Sequence, residues 1–367
     1  MHIKMILHLI EILVFGSLLL LSFILVSNPM KVNIKANRWF GWLLLLWASY
    51  WFDEVYVLTT NQDINISSYL IVAVIQFLTP LLFFISVCHF TVPAYKPSKD
   101  FSKYLVLPLV YAVIKVTDDF LSLNMYLVQL ILVLINALLF TILSYLRIRK
   151  HQKNIQQFAS STQEINLNWL EYIIIAMISL VLVIGVFNLI FFNLPLNLFM
   201  NATVLAVVLF ITYNSLKQKE IFPKDDLAVK NAINIDEEIK EEAPKRQLLA
   251  DDKVYEIKEN LETLMNDKEL FLDSELNLIK LAEMLDVTPH HLSFVVNKGF
   301  NVNFFQFVNA FRVEKAKQML SDSGNEKLSI LGVAFESGFS SKTSFNTTFK
   351  KMTGQTPSEF KKASSDL

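Results

Sequence analysis

Six histidines, one cysteine and thirty-four acidic side chains are the material for metal or acid–base chemistry in this 367-residue chain, and their spacing uses almost none of it. Only His290 and His291 adjoin, and a lone Cys88 excludes an intrachain disulfide framework and any multi-cysteine zinc site. The carboxylate pairs Asp53–Glu54 and Asp118–Asp119 are neighbours in sequence, and neighbouring helical residues diverge by about 100°, so neither pair converges as two glycosidase carboxylates do. The patterns G-x-x-x-x-G-K-[ST], G-x-G-x-x-G and H-E-x-x-H are absent, and eight glycines leave little material for phosphate loops. No enzymatic activity, metal or cofactor is expected. Two clusters of hydrogen-bonding and cationic side chains remain. One is His290, His291, Ser293, Asn297 and Lys298; the other is Lys342, Ser344, Asn346, Thr347, Lys350 and Lys351. Imidazole, hydroxyl and amide groups can meet base edges, and ammonium groups can meet phosphates.

The elements that would position these clusters can be read from apolar spacing. In LIKLAEMLDVTPHHLSFVVNK, beginning at Leu278, a first helix buries Leu278, Leu281 and Leu285, and Ala282 lets a second helix cross closely. Val287 plugs the turn, Thr288 caps the second helix with Pro289 at its first position, and Leu292, Val295 and Val296 face the core. That is a helix-turn-helix. The pattern recurs in ILGVAFESGFSSKTSFNTTFKK from Ile330, with Ala334 at the crossing, Gly338 and Phe339 in the turn, Ser340 or Ser341 as cap, and Phe345 and Phe349 buried. Between them, Asn303 to Asp322 reads as one continuous helix of about 30 Å, near the roughly 34 Å that separates successive major-groove faces.

The stretch ILGVAFESGFSSKTSFNTTFKKMTGQTPSEFKK resembles the signature of the AraC/XylS family of transcription regulators. Ala334, Gly338–Phe339, Phe345, Phe349, Lys350, Lys351, Gly354 and Thr356–Pro357 carry the match, and Arg312, Ala316 and Leu320 of the linking helix also fit. The resemblance covers some 85 residues, about a quarter of the chain. It implies a double helix-turn-helix DNA-binding domain. Gly332 within a helix and Phe294 on a recognition-helix face depart from the pattern, the glycine at a cost of about 1 kcal/mol. Local charge agrees with DNA binding: residues 251–286 hold 4 basic and 11 acidic side chains, whereas 289–362 hold 10 basic and 5 acidic. Lys298, Lys342, Lys350, Lys351, Lys361 and Lys362 are expected at phosphates. His290, His291, Ser293 and Asn297 in the first recognition helix, and Lys342, Ser344, Asn346 and Thr347 in the second, are the candidates for base edges, against the alternative that some are solvated surface.

The rest of the chain is another material. With 53% hydrophobic residues, 18% charged and a mean hydropathy of +0.42, the composition lies outside the soluble range, and a net charge of −1 gives no global signal for nucleic acid. Seven apolar runs are long enough to cross about 30 Å of hydrocarbon: Met5–Ser27, Trp39–Thr59, Tyr69–Thr91, Lys103–Asp119, Met125–Leu146, Trp169–Phe192 and Leu196–Leu216. Glu11 interrupts the first, and no small-residue cleavage motif follows Ser27, which argues against a cleaved signal peptide. The first connection carries Lys31, Lys35 and Arg38, the third Lys96, Lys99 and Lys103, and the fifth Arg147, Arg149, Lys150 and Lys153; the even connections carry none. Lys217 and Lys219 follow the last run. Cationic loops stay inside, so the N-terminus is expected outside and the C-terminal domain in the cytoplasm, in a bacterial cytoplasmic membrane. Glu11, Asp53, Glu54 and Lys115 then fall on the outer side, where they would form a ligand pocket open to the outside or a Lys115-to-carboxylate bridge between helices, or else snorkel to headgroups.

The expected architecture is all-α: a seven-helix transmembrane domain over 1–216, a charged linker over 217–250 and an AraC-type DNA-binding domain over 251–367. The expected partners are promoter DNA, the lipid bilayer, a second copy in a homodimer, and a signal ligand or membrane partner. Three functions compete: a membrane sensor that binds DNA while tethered, a DNA-binding module on a passive anchor or docking platform, and a transporter or enzyme fused to a regulator.

Overall fold

The computed structural model describes residues 2–60, 69–92, 95–96, 99–121, 125–163, 165–190, 197–219, 221, 249–322 and 328–365. Most of the expected linker, 222–248, therefore lies outside the described residues, as does the end of the sixth apolar run. Among the described residues the chain is all-helical with no strand beyond one isolated bridge, Ala159 to Asn277. It divides into two compact units, one of Met1–His151 with Leu167–Ile221 and one of Gln152–Asn166 with Phe222–Leu367.

The first unit holds α1 (His2–Ser27), α2 (Ile34–Ala48), α3 (Phe52–Thr60), α4 (Leu70–Phe77), α5 (Thr79–Thr91), α6 (Val106–Leu121), α7 (Tyr126–Ile155, whose last residues belong to the second unit), α8 (Asn168–Ile190) and α9 (Asn197–Lys217). Among the described residues four stretches are long and apolar enough to cross a membrane: Met5–Ser27, Leu70–Thr91, Tyr126–Ile155 and Leu198–Lys217. Of the other three expected runs, the second is interrupted and the fourth is short, while the sixth falls on the 23-residue α8. Trp39–Thr59 is divided between α2, a tight turn at Ser49–Trp51 and α3, and α6 has 16 residues. In α8 the described apolar part is Asn168–Ser179.

Pro80 explains the break between α4 and α5. It lacks an N–H, so carbonyls of the preceding turn lose their helical donor. Side chains replace it: Tyr50 Oη and Thr79 Oγ1 donate to Gln76 O at 3.1 and 2.7 Å, and Asn136 Nδ2 donates to Phe77 O at 2.8 Å. A broken helix in an apolar setting persists only with such replacements.

The second unit contains α10 (Asp251–Asp267), α11 (Leu278–Met284), α12 (Pro289–Phe300), α13 (Phe304–Ser321), α14 (Ile330–Glu336), α15 (Lys342–Thr353) and α16 (Pro357–Ser365). Two apolar clusters form its core. The first gathers Leu261, Leu281, Leu292, Val296 and Phe307, the second Ala316, Leu320, Ala334, Phe345 and Phe349. The helix α13 contributes to both, Phe304 to Val308 in one and Val313 to Leu320 in the other, so it is the spine that fixes the two helix pairs. A capping box starts it: Asn303 Oδ1 accepts from Gln306 N at 2.8 Å while Gln306 Oε1 accepts from Asn303 N at 3.1 Å. Its 18 residues span about 27 Å.

The pairs α11–α12 and α14–α15 turn in the same way. Val287 N donates to Ala282 O and Phe339 N to Ala334 O, both at 3.0 Å, and the residue before each plug is left-handed: Asp286 at φ 53° and Gly338 at φ 85°. Ala282 and Ala334 are fully buried where the helices cross. Thr288 caps α12 and Ser341, not Ser340, caps α15, their hydroxyls accepting from His291 N and Ser344 N at 3.2 Å. The unexpected Gly332 sits three residues past the α14 cap, where its N–H donates to Ser329 Oγ. An added Cβ there would meet Leu328 and Ser329 only at 3.5 Å. Gly332→Ala is expected to stabilise α14 by up to ~1 kcal/mol, read as slower hydrogen exchange of its amides; faster exchange would show a hidden clash.

The sequence reading gives 152–166 to the membrane domain, as its fifth connection. The structure instead builds this stretch into the second unit. Ile155, Phe158 and Ala159 are buried in the first cluster, Leu278 N donates to Phe158 O at 2.9 Å, and Phe305 N donates to Gln156 O at 3.0 Å.

Candidate nucleic-acid interface

Helical spacing puts Lys342, Asn346 and Lys350 at i, i+4 and i+8, with Thr347 and Lys351 beside them, while Phe345, Thr348 and Phe349 turn to the core. The result is one polar, cationic face on α15. Lys342, Thr347, Lys350 and Lys351 are exposed, Ser344 and Asn346 half-buried. Together with Thr356 and Ser358 from the start of α16, the five face residues line a shallow open groove. Composition gave no reason to include Thr356 and Ser358; only the close approach of α16 brings them in. A capping box holds that approach, with Thr356 N donating to Glu359 Oε2 at 2.7 Å and Glu359 N to Thr356 Oγ1 at 3.3 Å. The Thr356 backbone N–H, and after it the Thr356 side chain, hold the Glu359 carboxyl below its ordinary pKa.

The first recognition candidate, α12, is less accessible. His290, His291 and Asn297 are half-buried. Ser293 is 2% exposed, and its Oγ accepts from Asn297 Nδ2 at 3.3 Å. It therefore orients Asn297 and does not face solvent, so it leaves the set of surface groups. Lys298 lies 5.4 Å from the Phe294 ring and pairs with Asp251 of the acidic α10 at 3.2 Å. That contact accounts for the unexpected Phe294, which packs partly on the core and carries the lysine stem. Burial, then the neighbouring His290 and Lys253, hold His291 below the usual histidine pKa, so at neutral pH it is an uncharged donor–acceptor.

Arg312 of α13, expected only as part of the resemblance, is 1% exposed. Its Nε donates to Phe271 O at 2.7 Å, Nη2 to Asp273 O at 2.8 Å and to Ser160 Oγ at 3.0 Å, and Nη1 to Ser160 O at 3.2 Å. Its guanidinium carbon is 5.9 Å from the Phe339 ring. Burial lowers its pKa to about 10, still well above neutrality, and Asp273 partly offsets the shift. Arg312 thus lies inside the unit, where it joins the strap before α11 (268–277), the 152–166 segment and the second helix pair.

In the first unit, Glu11 is buried, accepting from Asn201 Nδ2 at 3.2 Å and lying 3.2 Å from His8 Nδ1; Trp51 Nε1 donates to Asn201 Oδ1 at 3.0 Å. Asp53 and Lys115 are half-buried and Glu54 is exposed. Among the described residues no group of three or more histidine, cysteine, aspartate and glutamate side chains is placed to hold a metal.

Residues 281–363 match the helix-turn-helix domain family. An uncharacterized HTH-type transcriptional regulator of Staphylococcus aureus (strain COL) is 33% identical over 116 residues, 32% of this chain and 14% of that protein. The uncharacterized HTH-type transcriptional regulator YtdP of Bacillus subtilis (strain 168) is 27% identical over 89 residues, 24% of this chain and 11% of that protein. The likeness therefore spans about a seventh or less of these relatives. No solved structure gives a significant match. The C-terminal part of the chain is a helix-turn-helix domain of the kind found in these regulators.

Proposed function

We propose that the chain is a membrane-tethered transcription regulator: seven apolar helices hold it in a bacterial cytoplasmic membrane, and the second unit reads promoter DNA from the cytoplasm through both helix pairs. The observation that carries this is the cationic face of α15 on a domain that follows apolar helices long enough to span. Lys342, Lys350 and Lys351 would neutralise phosphates, and Asn346 and Thr347 would meet base edges, with His290, His291 and Asn297 doing so from α12. Tethered domains would pair on a two-fold operator at raised local concentration.

The test uses the full chain in lipid nanodiscs, first to select bound duplexes from a random pool and then to titrate them with salt. Lys350→Ala is expected to weaken all duplexes alike and lower the salt slope by about 1, whereas Asn346→Ala should relax the preference at one base pair. An intact chain that selects no sequence, or a C-terminal reporter found outside the cytoplasm, overturns the reading.

The network of Glu11, Asn201 and Trp51 supports reading Glu11 as a link between helices and not as part of a ligand pocket, with Asn201 and not Lys115 as its partner. The membrane half is then read as a packed bundle whose helix arrangement a signal would change. A passive anchor is the second reading. Separate substitutions of Glu11, Asp53 and Lys115 distinguish the two: promoter output unchanged under every condition would favour the anchor.

A further inference from the structure

The segment joining α7 to α8 is tied at both ends to apolar helices, yet residues 155–163 pack and hydrogen-bond within the second unit. Residues 155–160 form part of that unit's interior: Ile155, Phe158 and Ala159 are buried in the first apolar cluster. Ser160 is the polar counterpart. Its N–H and hydroxyl both donate to Leu276 O, and its carbonyl accepts from Arg312 Nη1 and from Asn309 Nδ2 at 3.0 Å. Arg312 and Asn309 are themselves buried, so without Ser160 both would lose a buried acceptor.

Two of the next three residues reach the second helix pair. Ser161 Oγ is 2.8 Å from Ser340 Oγ, and Gln163 Oε1 accepts from Ser341 Oγ. Ser341 is the N-cap of α15, whose own hydroxyl oxygen holds Ser344 N. In helix-turn-helix domains the N-terminal residues of the recognition helix approach the bases, and a helix N-terminus is where a phosphate binds. Ser161 and Gln163 therefore lie at the end of α15 that a duplex would use.

We propose that residues 155–163 are an intramolecular docking element that anchors the DNA-binding unit to the connection between α7 and α8, and that the 161–163 end inhibits DNA binding by covering the N-terminus of α15. A signal that moves α7 or α8 reaches the recognition helix through this connection, with no need for the 222–248 linker. The regulatory half rests on the DNA-binding reading above; the docking half does not.

Three measurements on the full chain decide it. A protease site placed within 222–248 is cut in detergent, with complete cleavage read on a denaturing gel. The C-terminal fragment is expected to stay with the membrane fragment on gel filtration, and its release from the unaltered sequence overturns docking. Ser161→Cys with Ser340→Cys, in a Cys88→Ser background, is expected to form a disulfide that links the two fragments after cutting; the failure of this pair to cross-link would contradict the geometry even if the fragments co-elute. Ser161→Ala with Gln163→Ala should leave co-elution unchanged and tighten binding to the selected duplex about fivefold, the equivalent of one hydrogen bond. Unchanged or weaker binding overturns inhibition. A chain that binds no duplex in any form sinks the DNA-binding reading and the inhibition built on it, and leaves the first two measurements standing.

Discussion

Gly338→Ala is expected to abolish DNA binding by unseating the second helix pair. Two costs combine. At φ 85° an L side chain is strained by roughly 1 kcal/mol, and an added Cβ would stand 2.4 Å from Phe271 O and 2.8 Å from Leu272 Cα. Both obstacles are backbone in the strap that Arg312 also binds, so neither can rotate away. Overpacking against a fixed backbone costs on the order of 1–3 kcal/mol, and the sum approaches the margin of a small unit. Hydrogen exchange of α14 and α15 in the full chain should rise by about two orders of magnitude while α10 and α11 change little. Asp286→Gly, at the matching turn of the first pair, should be neutral within ~1 kcal/mol, because Asp286 already accepts φ 53° with a side chain in place. A Gly338→Ala cost of no more than ~1 kcal/mol would show that strain alone, and not the approach of 271–272, requires the glycine.

Gly338 also marks how far the sequence could be read. The turn, its plug Phe339 and the buried Ala334 follow from a local pattern that occurs twice, because each helix pair is closed by residues fewer than twelve apart. The length of α13 was legible for the same reason, as was the apolar character of the first unit. The helix breaks in that unit were not, since Pro80 and its neighbour Thr79 are readable but the Tyr50 and Asn136 groups that also make the break tolerable come from segments distant in sequence. Surface assignment failed at Ser293: it lies on the stripe next to Leu292 and Val296, and a small hydroxyl at the edge of an apolar stripe carries no mark of which way it faces. Thr356 and Ser358 were invisible as members of the α15 groove because tertiary approach alone brings them there. Least legible was the 152–166 segment. Its apolar residues, Ile155 and Phe158, lie among lysines, glutamines and asparagines without periodicity, and their partners are more than a hundred residues away.

Arg312→Lys is expected to be almost as damaging as Arg312→Ala, and the reason is shape. The guanidinium makes four hydrogen bonds in one plane, to Phe271 O, Asp273 O, Ser160 O and Ser160 Oγ. An ammonium has three donors at a point and cannot span the same fork. Either substitution strands buried carbonyls at about 1–3 kcal/mol each, so Arg312→Ala should cost roughly 3–5 kcal/mol and Arg312→Lys at least ~2. Because Arg312 draws on the strap, on Ser160 and on the Phe339 ring at once, the loss should appear in both helix pairs together, as a joint rise in hydrogen exchange across α11 to α15 and loss of duplex binding. Ser160→Ala removes the hydroxyl acceptor but keeps the carbonyl, and should cost only about 1 kcal/mol. An Arg312→Lys chain within ~0.5 kcal/mol of the original, or one that loosens a single helix pair, would mean that α13 alone holds the two pairs in register and that the buried arginine is incidental to it.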